Sequence, residues 1–271
     1  ARPTLSRTMC SFIAYRGTPS FLEALVCAAP RSLLHQARHA EEAKVRIHGD
    51  GVGIGWYGER DTPGRYREAV PAWSDENLIS LFRALRSHLF FAHVRAATGT
   101  PTARANCHPF AHGRWLFMHN GQVAGYASLR HELEARLPDA LHTARTGATD
   151  SELLFLLLMA RIEAGEEVIA AAAQVLQTVV ACMHEAGVTG ALRFAAALTD
   201  GRTLYAFRTA NDAKPPTLYL GAHAGGTVVA SEPLDDDGPW HAVPDGHAVM
   251  IDDRGVALRA LPAWSAAPLP A

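Results

Sequence analysis

The stretch His48-Gly49-Asp50-Gly51-Val52-Gly53-Ile54-Gly55-Trp56-Tyr57 sets glycine at every second position. In a strand alternate residues share a face, so the glycines leave one face bare while Val52, Ile54 and Trp56 fill the other. A bare face admits another backbone, or a ligand, at close range. Outward from it the chain reads in blocks. Residues 11–15 form a short buried strand ahead of the Gly17-Thr18-Pro19 turn, and residues 21–27 a short helix. Residues 75–87 suit a helix with Leu78, Leu81, Phe82 and Leu85 on one side. Strands are expected at 89–94 and 115–119, and helices at 128–137, 150–163 and 168–184. Beyond residue 194 the chain is strand-rich, at 194–199, 203–207, 217–220, 227–230 and 248–251. Short turns such as Asp200-Gly201 there suggest antiparallel hairpins. Strands and helices in blocks, without βαβ alternation, favour an antiparallel α+β layered fold.

The 271 residues are 48% hydrophobic and 19% charged, and no linker or charge block divides them. One domain is therefore expected over residues 10–261, after a leader at 1–9 and before a loose Ala/Pro-rich tail at 262–271. A formal charge of −2 argues against nucleic acid or a polybasic membrane contact. No apolar run approaches the roughly 20 residues of a transmembrane helix. The leader has arginines but lacks the apolar segment of a secretory signal. Cys10, Cys27, Cys107 and Cys182 are widely dispersed, and reduced thiols in a cytoplasmic protein are expected.

Five separated pieces carry the chemistry: Met9-Cys10-Ser11-Phe12, Ala92-His93-Val94-Arg95, Asn106-Cys107-His108-Pro109-Phe110, Met118-His119-Asn120-Gly121 and Thr149-Asp150-Ser151-Glu152. Singly each has an ordinary reading. Asn-Gly serves hairpin turns, Thr-Asp-Ser-Glu caps a helix, a cysteine beside a strand packs inertly, and an arginine at a strand end pairs at the surface. Their order and spacing, together with Gly55-Trp56-Tyr57 and Ser231-Glu232-Pro233-Leu234, resemble the class II glutamine amidotransferases. Within that family the pattern is most similar to small stand-alone members: the γ-glutamyl hydrolase of ergothioneine biosynthesis and the amidotransferase-like glutathione-degrading peptidases.

The resemblance implies the four-layer αββα fold of N-terminal-nucleophile hydrolases, with two antiparallel sheets between helical layers. It makes Cys10 the nucleophile, Asn120 (side chain) and Gly121 (backbone N–H) the oxyanion hole, Arg95 the holder of the substrate α-carboxylate and Asp150 of its α-ammonium. His119 adjoins that substrate site, and His93 is expected as a structural hydrogen-bonder. A free thiol titrates near about 8.5 and an α-amine near about 8, so a terminal amine can act as the base. That requires residues 1–9, read as a start-site extension or a propeptide, to be absent from the active chain. The far part of the pocket is expected from loops at 32–39 and 108–113. No cofactor or metal is expected.

The implied activity is cleavage of the γ-amide of glutamine or a γ-glutamyl compound through a γ-glutamyl thioester. Alternatives are a glutaminase subunit feeding ammonia to a separate synthase partner, and a catalytically silent binding module. A metal hydrolase built on His88, His93, His108, His112 and His119 has no His-Glu-x-x-His helix behind it. A Cys107–His108 pair is opposed by strand geometry, which sends neighbours to opposite faces.

Overall fold

Five consecutive buried residues, Ser11 to Tyr15, open strand β1 (Ser11–Phe21), and their side chains divide between two apolar layers. Ile13 and Tyr15 enter one core, Phe12 and Ala14 another. A strand covered on both faces reads as an unbroken apolar run, which masks its period of two. The computed structural model describes residues 10–39, 48–97, 100–223, 225–236 and 238–264. The leader at 1–9 and residues 265–271 of the tail lie outside the described residues.

After β1 come α1 (Leu33–His39), β2 (Gly51–Trp56), β3 (Gly64–Glu68), α2 (Glu76–Ala84), β4 (Arg86–Arg95), β5 (Phe110–His112) and β6 (Trp115–Val123). Four helices follow, α3 (Tyr126–Glu134), α4 (Asp139–Ala144), α5 (Asp150–Glu163) and α6 (Val168–Glu185). The chain then returns through β7 (Leu192–Thr199), β8 (Leu204–Ala210), β9 (Tyr219–His223), β10 (Gly226–Ala230), β11 (His241–Ala242), β12 (His247–Asp252) and β13 (Gly255–Ala260).

Seven strands form one sheet in the order β11-β9-β10-β1-β4-β2-β3, and six form the other in the order β13-β12-β8-β7-β6-β5. Their pairings are antiparallel. Between the sheets, Phe12, Leu89, Phe91 and Val229 meet Leu116, Met118, Ala197 and Val249. Outside the first sheet, Leu33, Leu78 and Phe82 of α1 and α2 pack on Ile13, Ile54 and Phe90. Outside the second, Leu129, Phe155 and Leu176 of α3, α5 and α6 pack on Phe117, Phe194 and Phe207. Three apolar layers separate four structural ones, the αββα sandwich of N-terminal-nucleophile hydrolases.

The bare face of β2 is used by another backbone. A Cβ on Gly53 would sit 1.9 Å from the His108 carbonyl oxygen, and one on Gly55 would sit 2.8 Å from Leu116 Cδ1. The strand thus lets the His108-Pro109 segment approach, and that segment reaches the site.

Several expected boundaries move. The helix expected at 21–27 is preceded by β1 running to Phe21 and becomes a π-helical turn at Ala24–Ala28. Helix α2 stops at Ala84, because Leu85 is extended and β4 starts at Arg86. Residues 32–39, expected as a pocket loop, hold α1. Strand β3 escaped notice because Gly64-Arg65-Tyr66-Arg67-Glu68 carries the charges typical of a sheet edge and no apolar run. Helix α6 is long and apolar enough by composition to cross a membrane, and here Ala172, Leu176, Val179 and Met183 sit in the core.

Candidate active site

Cys10 lies immediately before β1, in the middle of the first sheet, beside β4, whose last residue is Arg95. Across the sandwich, β6 brings His119, Asn120 and Gly121, and α5 begins with Asp150. These elements converge on a cavity of about 550 Å³ whose walls include Cys10, Arg95, His108, His119, Gly121 and Asp150. The sequence-predicted residues therefore gather in one place, Asn120 just behind the wall.

The Cys10 sulfur is bracketed by one residue. Ala96 N–H donates to Sγ at 3.4 Å, and the thiol faces the Ala96 carbonyl at 3.6 Å. Ala97 N–H in turn donates to Asp50 Oδ2 at 2.7 Å, which ties the bracket to the glycine-rich stretch. Burial pushes the thiol up to about 11; the Ala96 N–H and the Arg95 charge oppose this, and Asp150 and Asp50 add to it. A thiol so placed stays protonated near neutral pH and needs a base.

Asn120 is engaged with the nucleophile's backbone. Its Nδ2 donates to the Cys10 carbonyl at 2.6 Å and lies 3.3 Å from Ser231 Oγ, while Oδ1 accepts from Cys10 N at 3.3 Å. Ser231 also accepts from Phe12 N–H at 3.1 Å, so it braces both the amide and the start of β1. Gly121 is held to glycine by close packing. A Cβ there would lie 1.9 Å from the Arg193 carbonyl oxygen of β7 and 2.5 Å from His119 Nε2. Its missing side chain admits the neighbouring strand.

Arg95 is 4% exposed. Its Nη2 donates to Thr100 Oγ1 at 2.7 Å and to the Pro101 carbonyl at 3.4 Å, while Nη1 has no partner among the described residues. An unpaired guanidinium nitrogen inside a cavity is costly, and an anion would satisfy it. Asp150 is held rigidly, its Oδ2 accepting from Val123 N–H at 2.9 Å and its Oδ1 from Ser151 N–H at 2.8 Å. Thr149 caps the helix by accepting from Glu152 N–H at 3.1 Å, so the motif does cap a helix, and the same cap sets Asp150 at the cavity wall.

The histidines split. His119 uses both ring nitrogens internally, Nδ1 with Ser151 Oγ at 2.9 Å and Nε2 with the Arg193 carbonyl at 3.2 Å. His93 and His108 stack with ring centroids 4.2 Å apart. Neither ring meets strict hydrogen-bond geometry among the described residues, although the His119 backbone acts on His93 as a hydrogen-bonding group, so His93 is chiefly packed against its neighbour. Burial, then the positive charge of Arg95 and of His48, holds His93 down at about 3. Burial does the same to His108, with His93 next. His112 pairs with Glu163 at 2.9 Å, and His88 lines a separate cleft with Arg114 and Asp200. Among the described residues no three potential ligands cluster for a metal. Cys107 turns its sulfur to the Glu68 and Ala103 carbonyls, away from the His108 ring.

The sequence reading omitted Ala96 and Thr100, since a backbone bracket and a small hydroxyl residue leave no sequence signal, and it gave Ser151 no role although it stood in a quoted motif. Ser231 and Asp50 lay inside recognised motifs without a role. The far wall is formed by residues 122–128, including Tyr126, where the loop at 32–39 was expected; α1 lines a different cleft, with Trp73.

Residues 21–215 match the model of the class II glutamine amidotransferases. The chain is 32% identical over 255 residues to the gamma-glutamyl-hercynylcysteine sulfoxide hydrolase of Mycobacterium tuberculosis, covering 93% of this chain and 97% of that one. It is also 32% identical over 160 residues to a probable glutamine amidotransferase of Saccharomyces cerevisiae, of which it spans only 45%. A glutamine aminotransferase class-II domain protein from Silicibacter pomeroyi has a similar structure, with TM-score 0.76 and 35% identity over 94% of this chain and all of that one. The chain belongs to the class II glutamine amidotransferase family and is an amidohydrolase of the γ-glutamyl type.

Proposed function

We propose that this protein is a self-sufficient γ-glutamyl hydrolase, releasing glutamate from a γ-glutamyl amide whose amine is larger than ammonia. The observation that carries the reading is the pair of opposite charges in one cavity: Arg95 Nη1 without a partner among the described residues, and an Asp150 carboxylate fixed by two backbone N–H groups. Together they fit a free amino-acid head. Asp150 retains lone pairs for an ammonium, and Nη1 supplies donors for a carboxylate. The cavity continues past them along residues 122–128, which leaves room for a leaving group.

In this proposal Cys10 is the first residue of the active chain, and its α-amine takes the thiol proton. The sulfur attacks the substrate Cδ. Asn120 Nδ2 turns the hydrogen near Ser231 towards the resulting oxyanion, with Gly121 N–H as second donor. The C–N bond breaks as the proton passes to the departing amine, leaving a γ-glutamyl thioester. Water then cleaves the thioester to glutamate and restores the thiol. The four free cysteines support a reducing, cytoplasmic location.

The test is glutamate release by protein whose chain begins at Cys10, supplied separately with glutamine, glutathione and other γ-glutamyl amides. Faster release from a γ-glutamyl amide than from glutamine is expected. Glutamine cleavage that appears only with a co-purifying synthase would refute the self-sufficient reading and favour the ammonia-supplying subunit. Intact mass of the active protein checks that its chain starts at Cys10.

A further inference from the structure

The Asn106-Cys107-His108-Pro109-Phe110 motif has no part in the chemistry above, yet Asn106 is buried, 3% exposed. Its Nδ2 donates to the Pro101 carbonyl at 2.9 Å, and its Oδ1 accepts from Ala148 N–H at 2.8 Å. The two partners belong to different halves of the substrate site. The Pro101 carbonyl also receives Arg95 Nη2, and the adjacent Thr100 hydroxyl holds the same nitrogen. Ala148 stands two residues before Asp150, in the turn that delivers α5.

That turn is pressed against Asn106. A Cβ on Gly147 would sit 2.7 Å from Asn106 Oδ1 and 2.8 Å from the Ala105 carbonyl oxygen. From the other side Glu152 accepts from Thr146 N–H at 3.0 Å and Gly147 N–H at 2.6 Å. The turn is therefore fixed between a carboxylate and an amide. A side-chain amide is suited to this place because it offers a donor and an acceptor in one plane. The orientation follows from the partners: Ala148 N–H requires an acceptor, and the Pro101 carbonyl requires a donor.

We infer that Asn106 is a positioning residue that locks the spacing between Arg95 and Asp150, and so sets the affinity for the amino-acid head without touching substrate. The inference rests on the assignment of Arg95 and Asp150 as the clamp. Asn106→Asp keeps an acceptor for Ala148 but faces the Pro101 carbonyl with oxygen; Asn106→Ala removes both bonds.

The experiment measures KM and kcat for a γ-glutamyl amide, and the rate of Cys10 alkylation by iodoacetamide, in both variants and in Arg95→Lys. Loss of one buried hydrogen bond should raise KM about tenfold in Asn106→Asp. Asn106→Ala should raise it further, while kcat and alkylation stay within about threefold of the parent. A general loss of structure would instead lower kcat with KM unmoved and speed alkylation as buried thiols become exposed, and that outcome overturns the inference. If Arg95→Lys raises KM but Asn106→Asp does not, the coupling fails while the clamp stands. If Arg95→Lys leaves KM unchanged, the clamp fails and the coupling with it.

Discussion

The two ends of the cavity are built differently. At the head end, Arg95 and Asp150 come from the last residue of a strand and the first of a helix, braced by backbone N–H groups, Thr100 and the Pro101 carbonyl. One guanidinium nitrogen there has no partner among the described residues. At the chemical end every group is turned inward: Asn120 holds the Cys10 backbone, Ala96 brackets the sulfur, and burial keeps the thiol protonated. On the proposed assignment the recognition groups already stand in place, while the thiol has no base beside it among the described residues, which is the role a free α-amine on Cys10 would fill.

The largest test of that contrast removes the chemical end. Cys10→Ala should abolish turnover and all labelling by a glutamine-mimicking diazoketone; labelling at Cys107 or Cys182 would refute the nucleophile. Protein retaining residues before Cys10 lacks the amine, and general-base loss costs about 10²–10⁴-fold, so its turnover should fall by that much with glutamate binding intact. Equal rates for the two chain forms would show that the amine is not the base. Next in size, Asn120→Ala removes an oxyanion donor worth about 10²–10³ in kcat. It also unhooks Cys10 from β6, so Asn120→Asp, which can still accept from Cys10 N, separates the two roles: a loss of kcat in both variants is expected.

Much of this division was legible beforehand, for physical reasons that differ by residue. Cys10, Arg95, Asn120 and Asp150 were singled out from the order and spacing of their motifs, and the fold brings them to one cavity, Asn120 just behind its wall. The glycines of β2 announced a close approach, and His108 supplies it. Gly121 likewise makes room, here for the Arg193 carbonyl: a glycine records that something comes near, not what. The bracket on the sulfur was illegible because Ala96 acts through backbone that any residue carries. Strand β3 and helix α1 were missed because an edge strand and a short helix lack the long apolar period that marks a buried element.

Disturbing the head end should leave the chemistry in place. Arg95→Lys keeps the charge but loses the planar fork, and Asp150→Asn keeps a carbonyl acceptor but removes the negative charge that an ammonium requires. A charge-assisted bond contributes about 1.5–3 kcal/mol, so KM should rise about tenfold to 100-fold in either variant. An unchanged Michaelis constant in both would remove the clamp from the comparison, and a fall in kcat alone would move these residues to the chemical end.

The smallest expected effect concerns the floor beneath Arg95. His93 lies two residues before it on β4 and so shares its face, stacked on His108 from the facing layer. With His93 held at about 3 and His108 well below its ordinary 6.5, both rings are neutral, and Arg95 is not crowded by a second cation where the carboxylate would bind. The groups facing His93 are Arg95, His48, His108 and His119; the coulombic effects of Arg95, His48 and His119 disfavour its protonation, and the hydrogen bond with the His119 backbone favours it more weakly than burial opposes it. Because the folded values lie below the unfolded ones, this contribution to stability is fully present above about pH 6.5. It is lost as pH falls towards about 3. Each such histidine adds about 1.4 kcal/mol per pH unit to the slope of unfolding free energy across that window. His93→Phe keeps a ring against His108 but cannot titrate. Denaturant unfolding of parent and variant between pH 6.5 and 4 should therefore give a shallower acid limb in the variant by about that slope. Parallel curves would mean that His93 is not held neutral by the fold, and that the floor of the head end carries more positive charge than Arg95 alone.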